Sequence, residues 1–169
     1  MKNKEVIVLE LCSKGDLFNV VLENSEILNE DSILKNLFTQ ICSGIQAIHD
    51  ETKNAHLDIK LDNILIGDDY KLKICDMGLA QPINEKLYKK YGTTDYMAPE
   101  VFLAEASDST GYHPIKADMF ALGVSLFIMK FGLPPWKAPT LNTDRLYTRF
   151  VQDKELFQRT HPSLRKAKE

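Results

Sequence analysis

Cysteine is scarce in this chain, and none of its three cysteines, Cys12, Cys42 and Cys75, stands in a C-x-x-C pair. A zinc site and a dithiol redox motif therefore have no support, and three reduced thiols suit a cytosolic or nuclear protein. Glycine and proline are sparse too, at 8 and 7 residues, which excludes a collagen-like or linker composition. No apolar run reaches the roughly 20 residues that a membrane span needs. The longest, residues 119–129, reads as part of a buried helix. The opening MKNKEVIVLELCSKGD holds an apolar run that Glu10 breaks, too short for a signal-peptide core. Charge of one sign is also missing. The 21 Lys and Arg against 24 Asp and Glu leave a formal charge of −3, which argues against an electrostatic grip on nucleic acid or anionic lipid.

What remains is an ordinary globular composition. The 169 residues are 44% hydrophobic and 27% charged. At about 150 residues per domain this is one domain, able to bury roughly 70% of its unfolded surface without disulfides or metals.

Residues 5–11 (EVIVLEL) are rich in β-branched side chains and read as a buried strand. Lys14-Gly15 breaks it, and Asp16 stands where a helix cap belongs, ahead of Leu17, Val20 and Val21. Residues 24–29 form a polar loop. From residue 30 to 49, Leu34, Leu37, Phe38, Ile41, Ile45 and Ile48 recur at three- and four-residue steps, predicting one long helix capped by Asn29 or Asp31. Residues 63–66 and 70–75, around Gly67-Asp68-Asp69, read as a hairpin. No period is clear over residues 76–99, and a loop of that length is usually functional or disordered. Residues 118–131 are apolar on nearly every face, predicting a helix buried all round and stopped by Gly132 and Pro134. Weaker helical segments follow at 143–151 and 153–157, and residues 164–169 read as a frayed tail. The fold class is α+β, dominated by helix.

The chemistry gathers at the hairpin. Its outer ends meet, so Asn63 and Asp76 converge, with Asp58 one short loop away. Hard oxygen ligands at one spot suit Mg²⁺ completed by phosphate oxygens. Lys60 adds a fixed positive charge beside them. A metal, a lysine and a spare carboxylate are the parts that phosphoryl transfer needs. Singly, each of these residues fits an ordinary turn; their joint spacing, D-x-K-x-x-N, then strand, turn, strand and D-M-G, is much harder to obtain by chance.

HLDIKLDN resembles the protein-kinase catalytic loop, DMG the D-F-G motif, and Ala98 to Glu100 matches A-P-E literally. ELCSKGDLF is similar to the hinge between the two kinase lobes, YGTTDYMAPE to the end of an activation segment, and DMFALGV to the helix that anchors the catalytic loop. The resemblance covers almost the whole chain. It implies a kinase-like C-terminal lobe, mainly helical with a short hairpin, preceded by one N-lobe strand: residues 1–11 the last N-lobe strand, 12–16 the hinge, 17–169 the C-lobe.

The resemblance also implies roles. Asp58 becomes the catalytic base and Lys60 the cation beside the γ-phosphate. Asn63 and Asp76 become the Mg²⁺ ligands, and Thr93 the residue that bonds Asp58 and Lys60. For ATP, Glu10 and Cys12 supply hinge backbone, Asp16 bonds the ribose, Leu65 is the apolar floor and Cys75 faces the pocket. Asp118 holds the backbone around His56, itself read as a core histidine beneath Met77. His49 reads as a helix-end residue outside the chemistry, and Lys86, Lys89 and Lys90 as a solvated loop. The implied partners are MgATP and a protein Ser or Thr, since Lys60 matches the Ser/Thr form of the loop. Asp16 could meet a basic substrate residue, whereas Ile128 replaces a second acid found in basophilic relatives.

Departures from the pattern are also visible. No glycine-rich loop, strand lysine or partner glutamate precedes the hinge, and the arginine that pairs with Glu100 would lie beyond residue 169, so the chain resembles a kinase domain cut at both ends. Leu57 replaces the arginine that normally meets an activation-loop phosphate, and Met77 the aromatic of D-F-G. The reading is a Ser/Thr kinase lobe; the alternative is a catalytically incomplete fragment or pseudokinase acting as a scaffold.

Overall fold

The apolar stripe of Leu34, Ile41 and Ile45 does wind into a helix, α2 (Asp31–Ala47), with all three side chains buried. A computed structural model describes residues 6–23, 30–104, 110–141 and 143–166; the expected loop at 24–29 lies outside them. Before α2 stands the short α1 (Leu17–Glu23), where Asp16 caps as expected, its Oδ1 accepting from the Asn19 N–H at 2.9 Å. The start of α2 differs from expectation. Its N-cap is Glu30, whose carbonyl accepts from Ile33 and Leu34, while Asp31 is already helical and pairs with Lys130 at 2.7 Å. At its far end α2 widens into a π-helical turn, Ile48–Thr52, and Lys53 closes it at φ 56°.

Residues 6–11 are not a buried strand. Val6, Ile7, Val8, Leu9 and Leu11 are 74–90% exposed, and no described residue pairs with their backbone. β-propensity describes a fit to neighbouring strands, and here there is none to fit.

Two small antiparallel ladders frame the middle of the chain. β2 (Ile64–Ile66) and β3 (Leu72–Ile74) form the expected hairpin, with Ile64 opposite Ile74 and Leu65 opposite Lys73. Asn63 belongs to a 3₁₀ turn (Leu61–Asn63) just ahead of β2 rather than to the strand. The stretch 76–99 is more ordered than its composition suggests. Within it β4 (Gln81–Pro82) pairs with β1 (Asn54–Ala55), and 3₁₀ turns form at Met77–Leu79 and Thr94–Tyr96. Farther along, Leu87 bridges Tyr112. Ladder hydrogen bonds to distant segments order this stretch, which a local period cannot reveal.

After the short α3 (Pro99–Phe102), α4 (Pro114–Phe131) runs through the core. It begins at Pro114, ahead of the apolar stretch, because proline suits the first helical position, and Gly132 closes it at φ 74°. It is not buried on every side: Met119 is 58% exposed. Ile128 is 2% exposed and belongs to the core, so the position read as an acid in basophilic relatives is apolar and buried here. Leu17, Ile41, Ile45, Leu61, Ile64 and Met129 pack into one cluster, and Ala55, Leu57, Met97, Val101 and Tyr112 into a second. Asp144 and Asp153 cap α5 (Arg145–Gln152) and α6 (Lys154–Thr160), and α7 (Pro162–Lys166) follows. The expected frayed tail is thus helical as far as residue 166, and its last three residues lie outside the described ones. No helix of the described residues is long and apolar enough to cross a membrane.

Ile41 is fully buried in the larger cluster. Ile41→Ala should lower unfolding free energy by about 2–5 kcal/mol, read as a lower urea midpoint at unchanged slope. A midpoint within error of the parent would show that α2 does not carry the core.

Candidate active site

Residues 56–63 cross from β1 to β2 in an irregular path, and such a path must find partners for its backbone. The carboxylate of Asp118 on α4, 1% exposed, supplies them. Its Oδ2 accepts from the His56 N–H at 2.8 Å and its Oδ1 from the Leu57 N–H at 2.8 Å. His49, from the π turn, adds a third contact, Nε2 to Oδ2 at 2.7 Å. His49 is therefore part of the site's support and not a bystander. Sequence reasoning missed it because its partner lies 69 residues away.

These bonds hold Leu57 at φ 63°, a left-handed conformation that disfavours a side chain. Gly92 passes directly over it at φ 99°, and a Cβ there would lie 2.3 Å from the Leu57 carbonyl oxygen. Only glycine permits that approach, and it delivers Thr93 to Asp58. The sequence signal was present in YGTT, but only as a chain breaker.

Asp58 is the centre of a hydrogen-bonded ring. Thr93 Oγ1 donates to its Oδ1 at 2.7 Å. Lys60 Nζ donates to Thr93 Oγ1 at 3.1 Å and pairs with Asp58 Oδ2 at 3.1 Å. Asn63 Nδ2 donates to the same Oδ2 at 3.2 Å and to the Asp58 carbonyl at 2.9 Å. Burial, the largest influence on this carboxyl, pushes its pKa up; the donors Thr93, Lys60 and Asn63 together with the lysine charge outweigh it, so the net shift is downward. Asp58 is an ionised acceptor at neutral pH.

His56 is fully buried, as expected of a core histidine. Its Nδ1 accepts from the Asp58 N–H at 3.2 Å, which leaves Nε2 as the protonated nitrogen donating to the Cys75 carbonyl at 2.9 Å. One ring thus ties the loop of Asp58 to the end of the hairpin that carries Asp76.

Hairpin register brings the two expected metal ligands to one end. The Cys75 N–H donates to the Asn63 carbonyl at 3.0 Å, and Asp76 follows at φ 63°, its carboxylate exposed and accepting from the Gly78 N–H at 3.3 Å. Because the Asn63 amide nitrogen is turned to Asp58, its Oδ1 is directed away from that carboxylate. No three His, Cys, Asp or Glu side chains among the described residues could hold a metal ion by themselves. One carboxylate and one amide oxygen fit Mg²⁺, which takes its remaining oxygens from phosphate and water.

The expected nucleotide-facing residues flank the hairpin without joining the ring. Glu10 pairs with Lys73 at 2.9 Å. Cys12 is half-buried, and its carbonyl accepts from the Gly15 N–H at 3.3 Å. The Asp16 carboxylate is engaged by Asn19 at 2.9 and 2.8 Å, so a ribose would have to share it. Leu65 is half-buried and bridges Asp16. The Cys75 thiol donates to the Asn63 carbonyl at 3.4 Å, and burial pushes its pKa up. In the lysine cluster, Lys86 donates to the Thr110 carbonyl at 2.9 Å and Lys90 lies 4.0 Å from the Phe102 ring.

An ionised carboxylate ringed by Lys, Thr and Asn thus lies beside an oxygen pair suited to Mg²⁺, on a helical lobe with one hairpin. The family model described as "Protein kinase domain" matches residues 1–167. Among similar proteins, the cell cycle serine/threonine-protein kinase CDC5/MSD2 of Saccharomyces cerevisiae is 36% identical over 81% of this chain and 19% of its own length. The serine/threonine-protein kinase CHK1 of the same yeast is 33% identical over 82% of this chain and 26% of its own. The serine/threonine-protein kinase ksp1 of Schizosaccharomyces pombe is 37% identical over 79% and 29%. The chain belongs to the protein kinase domain family, of the serine/threonine type, and its match spans less than a third of the length of these relatives.

Because Asp58 titrates below the ordinary carboxylate value of about 3.9 in the folded chain, its contribution to stability is present above that value and is lost as pH falls through the lower folded one. Thr93→Val removes a donor to the ionised form, so the Asp58 pKa should rise, as followed by carboxyl-carbon NMR titration. An unchanged value would show that the 2.7 Å bond does not act on the charged state.

Proposed function

We propose that this lobe transfers the γ-phosphate of MgATP to the hydroxyl of a serine or threonine in a protein substrate. The observation that carries the reading is the ring around Asp58: an ionised carboxylate held by Thr93, Lys60 and Asn63, with two oxygen ligands at the adjoining hairpin end. The bound metal nucleotide would supply the phosphoryl group and its charge neutralisation.

Asp58 accepts the hydroxyl proton of the substrate as the new O–P bond forms and the bond from the γ-phosphorus to the bridging oxygen of ADP breaks. It can serve because it is already ionised and because Asn63 and Thr93 fix its orientation. Lys60, 23% exposed, keeps its ammonium beside that carboxylate, where negative charge develops on the transferred group. Asn63 and Asp76 would hold the metal through their side-chain oxygens, and Asp118 fixes the loop so that Asp58, Lys60 and Asn63 need not reorganise during the step. The choice of Ser or Thr over Tyr is supported by Lys60 in the loop and by the relatives, which are named serine/threonine-protein kinases.

Asp58→Asn should lower phosphate transfer to a Ser-containing protein by roughly 10²–10⁴-fold while the circular dichroism spectrum stays that of the parent. Parent-level rates in that variant would sink the proposal. A second comparison concerns the metal. Asp76 is the charged ligand and Asn63 the neutral one, so Asp76→Ala should remove more of the Mg²⁺ dependence of binding a fluorescent ATP analogue than Asn63→Ala does. Equal Mg²⁺ dependence in Asp76→Ala and the parent would show that the hairpin end is not the metal site.

A further inference from the structure

Three side-chain contacts fasten the segment ahead of α1 to the β2–β3 hairpin. Ser13 Oγ donates to Asp68 Oδ1 at 2.8 Å. The Lys14 ammonium lies 4.5 Å from the centre of the Tyr70 ring. Lys73 pairs with Glu10 at 2.9 Å. Beside them the two backbones meet, the Ile66 N–H donating to the Gly15 carbonyl at 2.9 Å and Asp16 bridging Leu65. The turn that receives these contacts is itself strained: Tyr70 takes φ 62°, a region that disfavours a bulky residue.

We propose that Ser13 is a phosphorylation site, and that its modification releases residues 10–16 from the hairpin. The functional consequence rests on the reading above, in which this segment faces the nucleotide. Ser13 and its neighbours Lys14 and Gly15 are exposed and lie outside any helix or strand, so a second protein kinase can reach the hydroxyl. In the step, the Ser13 oxygen bonds the γ-phosphorus of a nucleoside triphosphate. The bond from that phosphorus to the bridging oxygen breaks, the hydroxyl proton passes to a base of the modifying kinase, and a nucleoside diphosphate leaves.

The product replaces a donor with a near-dianion against the carboxylate that the donor had served. Asp69 adds a second negative charge next to Asp68. Like charges so placed repel. The lysines of the two pieces are already engaged: Lys14 on Tyr70, Lys71 with Asp69 at 3.5 Å, and Lys73 with Glu10 at 2.9 Å. Recruiting any of them to the phosphate breaks another contact of the region. The balance therefore favours release.

The test compares full-chain Ser13→Glu, Ser13→Ala and Ser13→Glu with Asp68→Asn by hydrogen exchange at the Ile66 amide, whose acceptor is Gly15. The charged variant should exchange about fivefold faster than the parent, as expected for like charges in contact near water. Ser13→Ala, which loses one exposed hydrogen bond, should stay within about twofold. Adding Asp68→Asn should return the charged variant to within about twofold of the parent. Equal exchange in Ser13→Glu and Ser13→Ala, or a fast rate that survives Asp68→Asn, overturns the release. Phosphate mapped to Ser13 by mass spectrometry of the protein from its native cells supports the site; Ser13 found only unmodified there overturns it. Binding of the fluorescent ATP analogue should weaken in the order of the exchange rates. A parent protein that fails to bind the analogue refutes the phosphotransfer reading, while the exchange comparison still decides the release.

Discussion

The Asp118 carboxylate, 1% exposed, takes hydrogen bonds from His49, His56 and Leu57, and the rest of the site is arranged around it. An ionised group withdrawn from water loses several kcal/mol of solvation, which only well-placed donors can offset. Here the donors include the backbone of the loop that needs holding. The same contacts satisfy the charge and keep Leu57 in a left-handed conformation it would otherwise leave. Neither the loop nor the carboxylate would be stable in this form alone.

From that anchor the geometry follows in steps. Leu57 turns its carbonyl toward Gly92, and the absence of a side chain there lets the later segment close over the loop. Closure places Thr93 against Asp58, a contact between residues 35 apart in the chain. Lys60 and Asn63 complete the ring, so a largely buried charge meets a cation and two further side-chain donors. His56 links this ring to the Cys75 carbonyl, one residue before Asp76. A change at Asp118 would therefore reach both the Asp58 loop and the hairpin end before Asp76 through hydrogen bonds.

Local patterns were sufficient where local forces decide. The stripe of Leu34, Ile41 and Ile45 specified α2, and Gly67-Asp68-Asp69 between apolar runs specified the hairpin, because helix period and turn chemistry act over a few residues. They failed where burial depends on a distant neighbour. Residues 6–11 carry strong strand propensity, yet no described strand pairs with them and their side chains face solvent. The stretch 76–99 shows no period, yet ladders with Asn54–Ala55 and a bridge to Tyr112 order it.

The sequence by itself determined the residues of the ring and their order: Asp58, Lys60 and Asn63 lie within six positions on one loop, and Asp76 follows after one short hairpin. Spacing that short leaves the chain few ways to separate them. The motif resemblance already implied that Asp118 holds the backbone around His56, and it does. Tertiary structure alone decided the rest: His49 acts through a contact 69 positions away and Gly92 through a backbone approach that no side-chain pattern encodes. Such contacts form only when the packing of α2 against α4 brings buried donors and acceptors together, and a linear pattern carries no information about which of them will meet.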